Sequence, residues 1–313
     1  MDEVFCSHPR IDRAALRRLE ARSDARGLLR LASHGATLAA TGWLLGLALG
    51  GWWMVPATAL HGAVLIFLFA PLHECIHRTA FRSRWLNDAV GWLAGAAVAL
   101  PPTYFRAFHF AHHRHTQDPA NDPELAHAKP ATVAAWLLHV FGLPTWRFHI
   151  AALARHAAGR TPEPYIAPRT APAVVREARL LLAAYAAVAL VAVAAGSAAP
   201  LLYWVVPAVA GQPLLRLFLL AEHTGCATGP DMLANTRTTA SNAIVRFFTW
   251  NMPFHAEHHA YPSVPFHALP ALHRELRPAL RVLAPGYVAV ARDTLRGLRR
   301  SGAGSVPPGG RAA

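Results

Sequence analysis

Residues 31–72 read LASHGATLAATGWLLGLALGGWWMVPATALHGAVLIFLFAPL, a stretch without one Asp, Glu, Lys or Arg. A single membrane span needs about 20 apolar residues, rising about 1.5 Å each, to cross about 30 Å of hydrocarbon. This stretch is roughly twice that long, and its middle holds Gly50-Gly51 followed by Trp52-Trp53. Glycine breaks a helix and tryptophan suits the bilayer interface, so the stretch reads as a hairpin of two spans, roughly 31–50 and 52–72. A second charge-free stretch, 180–215, is broken from Gly196 to Pro200 and gives spans at roughly 179–198 and 201–220. The expected fold is therefore all-α: an integral membrane protein with four transmembrane helices in two hairpins and a cytoplasmic helical cap.

Composition agrees. A hydrophobic fraction of 54% with only 15% charged residues, and a mean hydropathy of +0.25, exclude an ordinary soluble domain. Arg10, Arg13, Arg17, Arg18, Arg22, Arg26 and Arg30 crowd the amino-terminal segment, whereas the two hairpin turns carry no Lys or Arg. By the positive-inside rule the amino terminus, the middle segment and the carboxyl terminus face the cytoplasm. The net charge of +13 is then a topology and lipid-headgroup signal, and no nucleic-acid partner is expected. No cleavable signal pattern precedes the apolar runs, and the alanine- and arginine-rich composition points to a bacterial inner membrane. Three scattered cysteines on the reducing side predict no disulfide.

Residues 8–30 suggest an amphipathic basic helix on the membrane surface. The runs 86–100, closed by Pro101-Pro102, and 136–150, broken at Gly142 and Pro144, are too short to span and are expected at the interface. One domain is expected over 1–300, with 301–313 a disordered tail.

Nineteen histidines are a large excess, and their spacing is informative. HECIH at 73–77 matches HExxH, in which two histidines one turn apart bind zinc and the glutamate, here Glu74, acts as a base. HFAHH places His109, His112 and His113 at i, i+3 and i+4, and HAEHH places His255, His258 and His259 likewise. On a helix each trio faces one way. Eight imidazoles exceed the three or four protein ligands that one zinc ion takes, so two metal ions fit the count better. The expected topology puts all eight on one side of the bilayer.

These three segments resemble the histidine boxes of the membrane fatty acid desaturase superfamily, over roughly residues 55–275. HECIHRTAF and HAEHHAYPSVPFHALP look like those of acyl-lipid desaturases. The resemblance implies a non-haem di-iron centre of two Fe ions in the cytoplasmic cap, with O2 as co-substrate and a fatty acyl or similar long lipid chain as substrate. It also implies a ninth ligand between the second and third boxes, for which His223 is the candidate. Without a fused redox module, the two electrons are expected from a separate donor such as a ferredoxin or a cytochrome b5-type protein. Desaturation is the leading activity. Hydroxylation or ketolation of a lipid, alkane or carotenoid on the same scaffold is the alternative, and a membrane zinc protease built on HECIH is a more distant one.

Metal-bound imidazoles usually donate their second ring proton to a carboxylate or carbonyl. Glu74, Glu222 and Glu257 adjoin ligands in sequence, and Asp118 and Asp122 follow the second box. Asn251, four residues before His255, is a candidate to share its face and hold a metal-bound water. His34 and His61 lie inside expected spans and are read as neutral groups bonded to a neighbouring helix.

Overall fold

A computed structural model describes residues 7–126 and 129–302; Cys6 and residues 303–313 of the expected tail lie outside the described residues. The amino-terminal region is two helices rather than one over 8–30: α1 (Arg13–Leu19) and α2 (Asp24–Ala48). The Asp12 carboxylate accepts from the Ala14 and Ala15 N–H groups at 2.9 Å, and the Ser23 hydroxyl accepts from the Arg26 N–H at 3.3 Å. Two N-caps so close in sequence force a break between the helices they start.

α3 (Met54–Ile66) and α4 (Phe69–His77) follow each other as a nearly continuous apolar stretch that ends on the first box. α5 (Arg84–Ala97), α6 (Pro102–His115), α7 (Val133–Val140) and α8 (Leu143–Ala157) form the middle region. Gly142, at φ +76°, makes the break between α7 and α8 that the sequence predicts. α9 (Ala171–Ala194) precedes a π-helical turn at Leu201–Val205, which runs into α10 (Val206–His223). The remainder comprises α11 (Met232–Asn235), strand β1 (Thr238–Thr239), α12 (Ala243–Phe248), α13 (His255–Ala260), α14 (Leu269–Leu276), strand β2 (Leu283–Ala284) and α15 (Tyr287–Gly302). β1 and β2 pair in parallel, with Thr238 opposite Leu283.

Among the described residues three helical stretches are long and apolar enough to cross a membrane: Met54–His77, Ala171–Ala194 and Leu201–His223. The span expected at 31–50 corresponds to the part of α2 from Leu31 to its end at Ala48; α2 is long enough at 25 residues but is diluted by Ser33, His34, Thr37, Thr41 and glycines. α9 is bare on much of its surface, with Leu190 and Val193 70% and 80% exposed, as a lipid-facing helix should be.

The two histidines inside the helical bundle are structural, as expected. His34 Nε2 contacts the Val64 carbonyl at 2.9 Å, and His61 bridges the Thr41 hydroxyl and the Tyr203 carbonyl at 2.9 and 3.0 Å. α3 and α10 approach closely because glycines face each other: a Cβ built on Gly62 would lie 2.2 Å from the Pro207 oxygen, and one on Gly211 would lie 2.3 Å from the Gly62 oxygen. That contact fixes α10, and with it His223, against the helical stretch that carries the first box. Below the boxes, Met232, Leu233, Val264, Leu269 and Leu272 form a buried apolar floor.

Candidate metal centre

The end of α4, the last turns of α6, the end of α10 and the short α13 meet at one place and deliver nine buried imidazoles, none more than 8% exposed. His73, His77, His109, His113 and His258 form one group, each offering a ring nitrogen within 4.8 Å of all the others. His112, His223 and His259 form a second group under the same measure. His255 joins it, its Nε2 lying 3.3 Å from that of His223 and 3.1 Å from that of His259. The split follows from helix geometry, since residues four apart lie closer to one line along the surface than residues three apart. α6 gives His109 and His113 to the first group and His112 to the second; α13 reverses the shares, giving His258 to the first and His255 with His259 to the second. The rings of His113 and His259 stack across the divide with centroids 4.0 Å apart.

Hydrogen-bond partners fix the tautomers in the second group. His223 Nδ1 lies 3.2 Å from the Asn235 carbonyl oxygen, which only accepts, so Nδ1 carries the proton. His259 Nδ1 lies 3.1 Å from the Thr116 hydroxyl, whose own proton goes to the His112 carbonyl at 2.8 Å, so here too Nδ1 donates. His112 Nδ1 donates to the Asp122 carboxylate at 2.9 Å, with Glu124 at 3.2 Å. In His223 and His259 the Nε2 lone pair therefore points inward, and His223 Nε2 faces the Nε2 atoms of His112 at 3.2 Å and His255 at 3.3 Å. Ring nitrogens that converge in this way are placed to share a cation.

The first group makes the same demand differently. His109 Nε2 lies 2.8 Å from His73 Nε2 and 2.9 Å from His113 Nε2, and one ring nitrogen cannot satisfy both. His77 Nε2 and both nitrogens of His258 have no hydrogen-bond partner although buried. Burial holds His109, His113, His255, His258 and His259 below the usual imidazole range, and neighbouring histidines push each further down. These rings are neutral and free to bind metal at neutral pH. For His112 burial acts downward too, but the carboxylates of Glu124 and Asp122 outweigh it and the net shift is upward. The donor set thus fits two cations, one beside five imidazoles and one beside four.

The carboxylates divide differently from the sequence expectation. Asp122 binds His112, and Glu222 Oε1 lies 3.4 Å from His255 Nδ1, without hydrogen-bond alignment. Glu74 turns away from the histidines: its Oε2 accepts from the Thr79 hydroxyl at 2.7 Å and the Phe266 N–H at 3.2 Å, which ties the first box to the loop after the third. It is not placed as the base of a zinc protease. Glu257 is bonded to His273 and, at 2.5 Å, to the Thr238 hydroxyl, rather than to a box histidine. Asn251 does not share a helical face with His255, because α13 begins only at His255 and Asn251 has φ +62°. Its amide donates to the Phe266 carbonyl at 2.9 Å. Pro253 was the available signal, since proline disfavours helix in the residue before it.

Thr116, Glu124, Asn235 and His273 are the functional neighbours that the sequence reading missed. Thr116 stands four residues after His112, so its place beside the second box was readable from helical spacing; the other three come from separate elements, Glu124 from a 3-10 turn, Asn235 from the end of α11 and His273 from α14. Left-handed residues flank every box: Arg78 after the first, Gln117 after the second, and Trp250 with Asn251 before the third. Non-glycine residues in that region carry strain that the surrounding packing must hold.

Asp122 also accepts from the N–H groups of Gln117 and Glu124, so it orients both the His112 ring and its own loop. Asp122→Asn is expected to weaken metal binding at the four-histidine group about 10- to 100-fold, read by titrating ferrous iron into the purified protein. Asp118→Asn, whose carboxylate accepts from Ala120 and Asn121 and lies 3.8 Å from His115, a histidine outside both groups, should change it less than about two-fold.

Residues 50–291 match the profile of the fatty acid desaturase family. An sn-1 oleoyl-lipid 12-desaturase from a Synechocystis strain is 36% identical over 110 residues, covering 33% of this chain and 31% of that protein. A Picosynechococcus protein with the same description is 32% identical over 108 residues, 32% of this chain and 31% of its own length. An sn-1 acyl-lipid omega-3 desaturase (ferredoxin) from a Nostoc strain is 32% identical over 63 residues, 20% of this chain and 18% of that protein. The alignments thus span under a third of the length of these relatives.

Proposed function

The chain belongs to the fatty acid desaturase family, and we propose that it is a membrane oxidoreductase that introduces a double bond into a lipid acyl chain. The balanced reaction joins one CH2–CH2 unit, O2, two electrons and two protons to give one CH=CH unit and two waters. The observation that carries this reading is the 5 + 4 division of nine buried imidazoles into two sets whose ring nitrogens converge.

In this account His73, His77, His109, His113 and His258 hold one iron, and His112, His223, His255 and His259 hold the other. Bound iron supplies the activation of O2 with the two electrons. Imidazole is a donor that suits iron, but also zinc and copper, so family membership and ligand number together favour the di-iron assignment. Asp122, Glu124, the Asn235 carbonyl and Thr116 hold the second group's rings in place, while the apolar residues packed around the boxes exclude water. α2 serves as a fourth span beside α3, and the boxes face the cytoplasm of a bacterial inner membrane, in line with the seven arginines that precede Leu31. The names of the relatives favour an acyl-lipid substrate, and one of them names ferredoxin; a separate carrier, a ferredoxin or a cytochrome b5-type protein, delivers the electrons in this account.

Expression in a host rich in saturated and monounsaturated phospholipids, followed by mass spectrometry of the released acyl chains, tests the activity. Chains that have lost two hydrogens are expected. Chains that have gained one oxygen, with no new double bond, would replace desaturation by hydroxylation.

A further inference from the structure

The surface beside the five-histidine group carries an excess of arginine. Arg78 follows His77 directly, and Arg82 and Arg84 lie on the way into α5. On α6, Arg106, Phe110 and Arg114 are spaced i, i+4 and i+8, and therefore share one face. The acidic residues nearby are few. Asp88 lies 3.7 Å from Arg78, and the Asp24 carboxylate is taken up by the Ser83 N–H and hydroxyl at 2.8 and 2.7 Å. Burial depresses Arg106 first, and the positive charges of Arg78 and Arg84 depress it further against the opposing charge of Asp88.

The same surface lies next to the metal ligands. The Arg106 guanidinium sits 4.2 Å above the Phe110 ring, and that ring is 5.0 Å from the His77 ring. His77 and His113 are the most exposed of the nine imidazoles at 8% each, and both belong to the first group. One aromatic side chain therefore connects the basic surface with the five-histidine group.

We propose that Arg78, Arg82, Arg84, Arg106 and Arg114 form the docking surface for a small acidic one-electron carrier protein, and that electrons enter through Phe110 and His77. The inference rests on the reading that the centre consumes two electrons for each O2. The carrier docks twice per turnover, is oxidised by one electron each time, and reduces the metal centre by one. Clustered like charges that cost stability are well suited to steer an oppositely charged partner. Lipid headgroups are the rival occupant, and they would engage Arg84 first, because it adjoins Trp85, which is 68% exposed.

The test uses the full-length, iron-loaded protein in nanodiscs, with an acidic [2Fe–2S] ferredoxin as probe. Arg82→Glu with Arg114→Glu, both exposed and outside the histidine groups, should raise the ferredoxin Kd at least about ten-fold. Salt near 0.5 M should bring the unaltered protein to the same weak binding. Reduction of the centre by dithionite should stay within about two-fold of the unaltered protein, which separates docking from damage to the metal site. Unchanged ferredoxin affinity overturns the proposal, and so does unchanged affinity with a loss of co-purifying anionic phospholipid, which would assign the surface to lipid. If ferredoxin binding falls as expected but no unsaturated product forms in either protein, the docking surface stands and the desaturase reading fails.

Discussion

His258→Ala is expected to abolish product formation, with a loss on the order of a thousand-fold or more, and to lower bound iron by at least one ion per chain. Outer partners of a metal ligand already cost about 10- to 100-fold, and His258 is placed as a ligand itself. It has no exposed surface and no hydrogen-bond partner on either nitrogen. Its ring centroid lies 4.7 Å from that of His73, 4.6 Å from that of His77 and 4.8 Å from that of His113, so it closes the five-histidine group from the opposite side. A structural role would predict instead a protein that is less stable yet still loaded. Iron content by mass spectrometry, acyl-chain analysis and the elution volume of the purified variant separate the two. His267→Ala, a histidine outside both groups that contacts Arg26, is the control and should retain iron and activity.

Gly62→Leu is expected to prevent accumulation of folded protein. The new side chain would start 2.2 Å from the Pro207 carbonyl and 3.1 Å from the Gly211 nitrogen, both backbone atoms that no rotamer can move aside. Overpacking a well-filled core costs about 1–3 kcal/mol, and forcing two helix backbones apart lies at or above the top of that range. Small residues are what allow such close approach between helices in a bilayer. The expected result is loss of the monodisperse peak in detergent, while Gly35→Leu, whose added atom would meet nothing within 4 Å, leaves it intact.

The eight box histidines were legible because local spacing alone brings i, i+3 and i+4 together on a helix, and His223 because the family resemblance implies a ninth ligand and no other histidine stands between His156 and His255. The 5 + 4 division was not, since it depends on how α6 and α13 oppose each other across a gap of more than a hundred residues. Glu124 reaches His112 through a loop and a short 3-10 turn at Pro123–Ala126, for which no periodicity exists to read. Asn251 was misplaced by extending helical spacing back beyond the true start of α13, and Glu74 and Glu257 by treating adjacency to a ligand as contact with it. On a helix, consecutive residues diverge by about 100°, and here Glu74 ties the first box to the loop after the third while Glu257 ties the third box to β1 and α14. The span boundaries shifted because the apolar helices run on into the boxes themselves, to His77 and His223.

The stoichiometry and environment of bound iron test the two-metal account most directly. The full-length protein is loaded anaerobically with 57Fe(II) and read by elemental analysis and Mössbauer spectroscopy. The account predicts about two irons per chain, both high-spin with nitrogen-dominated ligation, and loss of the signal of one site in His258→Ala. Saturation at a single iron, or a preference for one zinc with no second metal bound, would contradict it.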